Sequence, residues 1–252
     1  MTDTSGTVAR TLAVLTAVAE RGGSVGVKDV ADALGLPMST AHRMLDLLRE
    51  AGFVEKDAAR RRYRPGLQFL RVAHLVAQGT SYARLCQPSL DRITAATGET
   101  AIYSDYLPDG HMAAYAAKCD SPNSLRYRIE LFEPVPVECG ASGLAILAFL
   151  GERVREEICA APRLAPVTGR SMPAADLTQR IAAARRDGYA FSKGQKLPGS
   201  VGIAVPVTIA DGPPVGSLTL TIPESRFEAT RLEEYVGLLT GEARMLSSGR
   251  DA

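Results

Sequence analysis

The sequence has no tryptophan, little aromatic residue of any kind (6%), four cysteines, three histidines and almost no net charge, +1 over 252 residues. Each shortage excludes something. A near-neutral chain is not one that coats nucleic acid indiscriminately. Cys86, Cys119, Cys139 and Cys159 stand far apart, with no C-x-x-C pair and no histidine at zinc-finger spacing. With no secretory signal, they are expected as reduced thiols rather than as a disulfide framework. The apolar run at 11–19 lacks a cleavage site and leads into charged residues, and no apolar run is long enough to cross a bilayer. A soluble, cytoplasmic protein is expected. There is no Walker A loop, no Rossmann glycine pattern and no H-E-x-x-H. Gly140-Ala141-Ser142-Gly143-Leu144 falls one glycine short of G-x-S-x-G and lacks its strand-to-helix setting. Neither an enzyme nor a bound cofactor is expected, and no metal site: scattered groups such as His111, Cys119 and Cys139 read as ordinary side chains.

What is present is unevenly distributed. Residues 1–80 hold eleven Lys and Arg against eight Asp and Glu, and the remainder is slightly acidic. The length calls for two domains. In the basic part, residues 7–21 form an expected helix with Val8, Leu12, Leu15 and Ala19 on its buried stripe, stopped at Gly22-Gly23. A second helix, 27–34, places Val27, Val30, Ala31 and Leu34 at i, i+3, i+4 and i+7. Gly35 and Pro37 then punctuate the start of a third, 37–49, whose Ala41, Met44, Leu45 and Leu48 share one face. Two helices joined by a tight glycine turn make a helix-turn-helix. Its outer face carries Ser39, Thr40, His42, Arg43 and Arg49, groups able to contact base edges and phosphates. Residues 53–56 and 61–64 read as a hairpin around a polar turn at 57–60. With Arg60, Arg61, Arg62 and Arg64 it forms a basic wing suited to a phosphate backbone. Taken alone, each set also fits a solvated charged surface.

Residues 67–78 are apolar on more than one side, so this linker helix is expected against another subunit. The expected division is 1–65 for the winged helix, 66–80 for the linker and 81–252 for an α+β or α/β domain, with the boundary near Gly79-Thr80-Ser81. That domain opens with a helix over 82–97 containing Pro88. Strands follow at 99–106, 112–118 and, from its alternation, 126–132. Helices are expected at 141–150, 151–159, 176–187 and 228–247, a proline- and glycine-rich loop at 162–173, and a hairpin of 201–209 and 215–222 around 211–214. The last helix turns Leu232, Tyr235, Val236, Leu239, Ala243 and Leu246 inward. The segment Cys139-Gly140-Ala141-Ser142-Gly143, entering an apolar helix, reads either as a wall of a ligand pocket with free N–H groups or as a tightly packed helix entry.

The stretches 34–48 (LGLPMSTAHRMLDLL), 62–66 (RYRPG), 97–100 (TGET), 136–150 (PVECGASGLAILAFL), 188–190 (GYA), 201–207 (VGIAVPV) and 222–227 (IPESRF) occur in an order and spacing that resembles the isocitrate lyase regulator family of bacterial transcription factors. The resemblance spans about residues 6–247. It implies a winged helix-turn-helix that binds a double-stranded DNA operator, and a C-terminal domain similar to the GAF/PAS-like sensor fold that binds a small metabolite such as an organic or aromatic acid. It also implies a homodimer built on the DNA-binding domain and linker helix, or a dimer of dimers. By the same resemblance Gly140 and Ala141 face the ligand, with Ser192, Ser200 and Gly202 on the opposing loop and Thr219 and Thr221 on the last strand. Two positions depart from the family pattern: Glu138 and Leu144 stand where a histidine and a lysine are common. An anionic effector therefore loses two expected partners. A regulator that binds DNA constitutively, with an orphan or protein-interaction C-terminal domain, is the alternative reading.

Overall fold

The computed structural model describes residues 6–21, 23–57, 60–78, 82–161, 169, 173–209 and 212–248. The expected boundary at Gly79–Ser81, the tip of the wing at 58–59 and most of the loop at 162–173 lie outside the described residues. Two compact units are present, one up to Ser81 and one from Tyr82.

In the first unit, α1 (Thr7–Glu20), α2 (Val27–Leu34) and α3 (Met38–Glu50) enclose a core completed by a hairpin of β1 (Val54–Asp57) and β2 (Arg62–Pro65). α2 begins with a capping box in which the Gly26 N–H donates to the Asp29 carboxylate at 2.9 Å. It ends at Gly35, whose φ of 63° is the left-handed geometry that stops a helix and starts the turn. Ala41, Met44, Leu45 and Leu48 are the buried face of α3, as their spacing requires. Tyr63 of β2, fully buried, exchanges backbone hydrogen bonds of 2.8 and 2.7 Å with Val25 and so ties the wing to the approach to α2. α1 corrects the expected stripe: Val14, Leu15 and Val18 are buried, whereas Val8 and Leu12 are 74% and 57% exposed. The valine-rich face packs on the core, leaving the Val8 and Leu12 side chains exposed. α4 (Leu67–Gln78) follows β2 directly.

The second unit is a three-layer α+β sandwich. Its antiparallel sheet of six strands runs in the order β5-β4-β3-β8-β7-β6. The strands are β3 (Thr100–Leu107), β4 (Met112–Cys119), β5 (Val135–Pro136), β6 (Ala190–Lys193), β7 (Ser200–Thr208) and β8 (Pro214–Pro223). α5 (Tyr82–Thr97) and α9 (Leu232–Ser248) cover one face, where Leu90, Ile93, Tyr235 and Leu239 meet Val201, Ile203, Leu218, Leu220 and Ile222. α6 (Gly140–Leu147), α7 (Glu152–Ala160) and α8 (Ala174–Asp187) cover the other, with α6 buried along its whole length. Strict alternation along β8 sends Leu218, Leu220 and Ile222 to the first face and Ser217, Thr219 and Thr221 to the second.

The expected strand at 126–132 is not one. These residues form no ladder; Ile129 is buried beside Ile102 and Tyr115, with Tyr127 and Leu131 partly buried around them, and the Phe132 N–H donates 2.8 Å to the Tyr115 carbonyl. The alternation records side-chain packing, not strand pairing. β6, which the sequence reading lacks, takes the edge beside β7 instead. No helix among the described residues is long and apolar enough to cross a membrane.

Candidate functional site

Two sites emerge, one in each unit. On the first, Ser39 and Arg43 stand exposed on the face of α3 opposite its buried stripe, with Thr40 half-buried between them. Arg43 makes no ion pair among the described residues. His42 and Arg49 are less available. His42 Nδ1 lies 3.0 Å from the Asp46 carboxylate, and Arg49 reaches Asp46 at 3.5 Å and Glu50 at 3.9 Å. The four wing arginines also divide. Arg60 and Arg61 are exposed near the tip. Arg62 donates to the Ser24 carbonyl at 2.6 Å and to Asp29 at 3.1 Å, while Arg64 forks onto the Glu55 carboxylate opposite it at 3.1 and 2.8 Å. The Gly26 N–H, and after it Arg62, hold the Asp29 carboxyl below its usual range. Arg62 thus braces the helix-turn-helix against the wing. The net result is an outer face of hydroxyls and one arginine, flanked by a cationic tip.

The second site lies between α6 and the inner face of the sheet. Gly140, Ala141 and Ser142 open α6 and form one wall, while Ser192, Ser200 and Gly202 from β6 and β7 form the opposite one. Gly202 sits across from Ser192 on one side and Thr221 on the other, so Thr219 and Thr221 complete the floor. A side chain at Gly202 would have nowhere to go: a Cβ there meets Ser192 Oγ at 3.0 Å and Ala141 Cβ at 3.1 Å. Cys139 is buried at the N-cap of α6 and does not line the space. Leu144 packs into the core behind α6, and Glu138 is buried before the helix begins.

Three lining residues escape the sequence reading: Tyr115 from β4, and Lys196 and Leu197 from the turn between β6 and β7. The Lys196 ammonium lies 3.5 Å from the centre of the Tyr115 ring, a close cation–π contact. Burial lowers the Lys196 pKa to about 8, and burial raises that of Tyr115 to about 12, so the phenol stays neutral. Nothing in the local sequence separates Lys196 from a solvated loop lysine; only the fold turns it inward. Thr219 is 3% exposed and its hydroxyl has no hydrogen-bond partner. The site is a hydroxyl-lined chamber with one cation among its described lining residues. Among the described residues no group of three or more His, Cys, Asp or Glu is arranged to hold a metal.

The comparisons with known proteins agree on both halves. Residues 7–58 match the IclR helix-turn-helix domain, and residues 74–248 match the bacterial transcriptional regulator IclR C-terminal domain. The chain is 26% identical to the HTH-type transcriptional repressor AllR of Escherichia coli over 242 residues, covering 95% of this chain and 88% of that protein. The crystal structure of an IclR transcriptional regulator from Alicyclobacillus acidocaldarius superposes with a TM-score of 0.83 at 23% identity, over 96% of this chain and 97% of that one. An IclR homologue from Microbacterium hydrocarbonoxydans, solved in complex with 4-hydroxybenzoate, superposes with a TM-score of 0.79 at 24% identity, over 96% and 98%.

Proposed function

The chain belongs to the IclR family of bacterial transcriptional regulators, with a DNA-binding N-terminal domain, an effector-binding C-terminal domain and no enzymatic activity; from that premise we propose that it acts in the cytoplasm as a dimer or dimer of dimers on a pseudo-palindromic operator and releases or re-grips DNA when a small organic molecule enters the chamber under α6. In this reading Ser39, Thr40 and Arg43 approach base edges, and Arg60 and Arg61 hold phosphates. His42 and Arg49 contribute only by giving up Asp46, and Arg62 and Arg64 only by giving up their own carboxylates. Self-association is supported by large apolar side chains that stay exposed in the first unit: Val8 and Leu12 on α1, and Leu67, Leu70, Val72 and Leu75 on α4.

The observation that carries the effector reading is the chamber itself. It combines serine and threonine hydroxyls, the start of a helix and a buried aromatic ring in one enclosed place, the mixture that binds small polar ligands. A relative of the same fold takes an aromatic hydroxy acid, 4-hydroxybenzoate. A ligand shifts DNA affinity only through its different affinity for the two arrangements of the dimer. Fluorescence anisotropy on labelled upstream DNA, titrated with 4-hydroxybenzoate and other small acids, tests this. A ligand-dependent change in operator affinity should disappear in Gly202→Leu, whose side chain fills the chamber. An unchanged ligand response in that variant would move effector binding elsewhere.

A further inference from the structure

Among the described residues that line the chamber Lys196 alone is charged, and it arrives from a turn rather than from any of the segments that form the walls. The turn is tightly tied. The Gly194 N–H donates 2.7 Å to the Ser200 carbonyl, the Ser200 N–H donates 3.2 Å to Leu197, and the Tyr127 hydroxyl donates 3.2 Å to Pro198. Leu197 is anchored against the buried trio Ile102, Tyr115 and Ile129. Between these anchors the Lys196 side chain runs over Gly140, where a Cβ would stand 3.2 Å from Lys196 Cβ and 3.7 Å from its Cδ. Its ammonium comes to rest on Tyr115. The space then left in the chamber is about 20 Å³, room for one water molecule. A metabolite larger than water enters only if a lining side chain moves, and Lys196 is the longest of them.

A second observation, independent of the lysine, also calls for a polar occupant. The Thr219 hydroxyl lines the chamber unpartnered. Next along the same sheet face, Ser217 and its cross-strand neighbour Ser104 are fully buried with unpartnered hydroxyls. Buried hydroxyls without partners are costly, and three on one sheet face form a row of unmet hydrogen-bond demand.

We propose that Lys196 is the specificity-determining residue of the chamber: resting on Tyr115 it closes the space, and it opens by transferring its ammonium from the ring to the negative group of a small organic anion, whose other polar atoms take up Thr219 and the hydroxyls beyond it. The proposal rests on the effector site assigned above. The ring offers the ammonium a weaker partner than a carboxylate does inside a protein, so an anion is rewarded for displacing it. A neutral molecule of the same shape would strand the charge. Lys196 makes no ion pair among the described residues. The titratable groups facing it are Cys139 at the start of α6, Glu133 before β5 and the Tyr115 phenol.

The sign of the pH dependence follows. Below pH 8 the ammonium is already protonated and an anion binds without proton uptake. As pH rises above about 8, binding must first restore the proton, so anion affinity falls, approaching tenfold per pH unit. The test is calorimetric titration of the full chain with benzoate and propanoate, each against its neutral primary amide, on wild type across pH 7 to 10 and on Lys196→Met and Gly202→Leu. At pH 7 the acids are expected to bind at least about tenfold tighter than the amides, with the preference shrinking above pH 8 and absent in Lys196→Met. The wild-type pH profile decides even if that variant folds poorly. Equal binding of acid and amide, or a preference that does not change with pH, overturns the role of Lys196; if Gly202→Leu still abolishes binding, the effector site stands. Binding that survives Gly202→Leu, or no binding by any of the acids, overturns both.

Discussion

Arg92 of α5 donates two hydrogen bonds, 2.8 and 2.6 Å, to the carboxylate of Glu242 on α9, and a third, 3.1 Å, to Ser89. The glutamate side chain is 6% exposed and the arginine 52%, so removing the arginine would leave a buried carboxylate unpaired. Arg92→Ala should lower the urea midpoint of the protein at neutral pH, because the Glu242 carboxylate loses its partner. The hydrogen bond from Arg92 is the chief cause that holds the Glu242 pKa below its ordinary 4.5. A carboxyl depressed in this way contributes stability that is complete above 4.5 and is lost as pH falls through its lowered value. The deficit of Arg92→Ala should therefore narrow below pH 4.5, and a deficit constant down to pH 3 would assign it to lost packing. This pair was invisible in the sequence, because 150 residues separate its members. Lys196 was invisible for the related reason that a turn's own residues do not say which way the turn faces. Arg43 was legible, since helical spacing alone sets it opposite a buried stripe.

Elements were legible where their pattern came from their own periodicity. The helix-turn-helix has amphipathic helices on either side of a turn marked by Gly35 and Pro37, and both helices fold within a residue or so of their expected bounds. The segment at 126–132 misled because an alternating pattern is satisfied equally by packing Tyr127, Ile129 and Leu131 against a neighbouring cluster. The stripe on α1 misled because helical spacing does not say which apolar residues the core will cover, and Val8 and Leu12 stay exposed. α6 is a third case: apolar on every side, it declares burial but not depth. Its depth is set at Gly143, where a Cβ would stand within clash distance of the Val137 carbonyl. Gly143→Ala should push α6 outward, at a cost of about 1–3 kcal/mol from overpacking. Because Gly140 and Ala141 ride on the same helix, ligand affinity should fall together with the denaturation midpoint. A variant with the wild-type midpoint would show that the helix can shift without cost.

At the scale of the whole protein the two families of arginine contacts make a quantitative difference to how the regulator holds DNA. Every phosphate neutralised by a protein cation releases counterions, and the log–log dependence of affinity on salt has a slope near −0.9 per phosphate. If all four wing arginines of both protomers of the proposed dimer gripped phosphates, about eight contacts would give a slope near −7. Arg62 and Arg64 are already spoken for by Asp29, Ser24 and Glu55, with bonds as short as 2.6 and 2.8 Å. Breaking them returns little, because one charge-assisted pair is exchanged for another and a carboxylate is left facing the DNA. Of the wing arginines only Arg60 and Arg61 are then free to act, about four phosphate contacts in the proposed dimer, and the expected slope is near −4. Anisotropy titrations on operator DNA across a range of potassium chloride concentrations measure it directly. Glu55→Gln should release Arg64 in each protomer and steepen the slope by about 2 while raising affinity at low salt. A wild-type slope already near −7 would mean instead that the wing abandons its internal partners on contact, making the brace between Arg62 and the helix-turn-helix a feature of the free protein only.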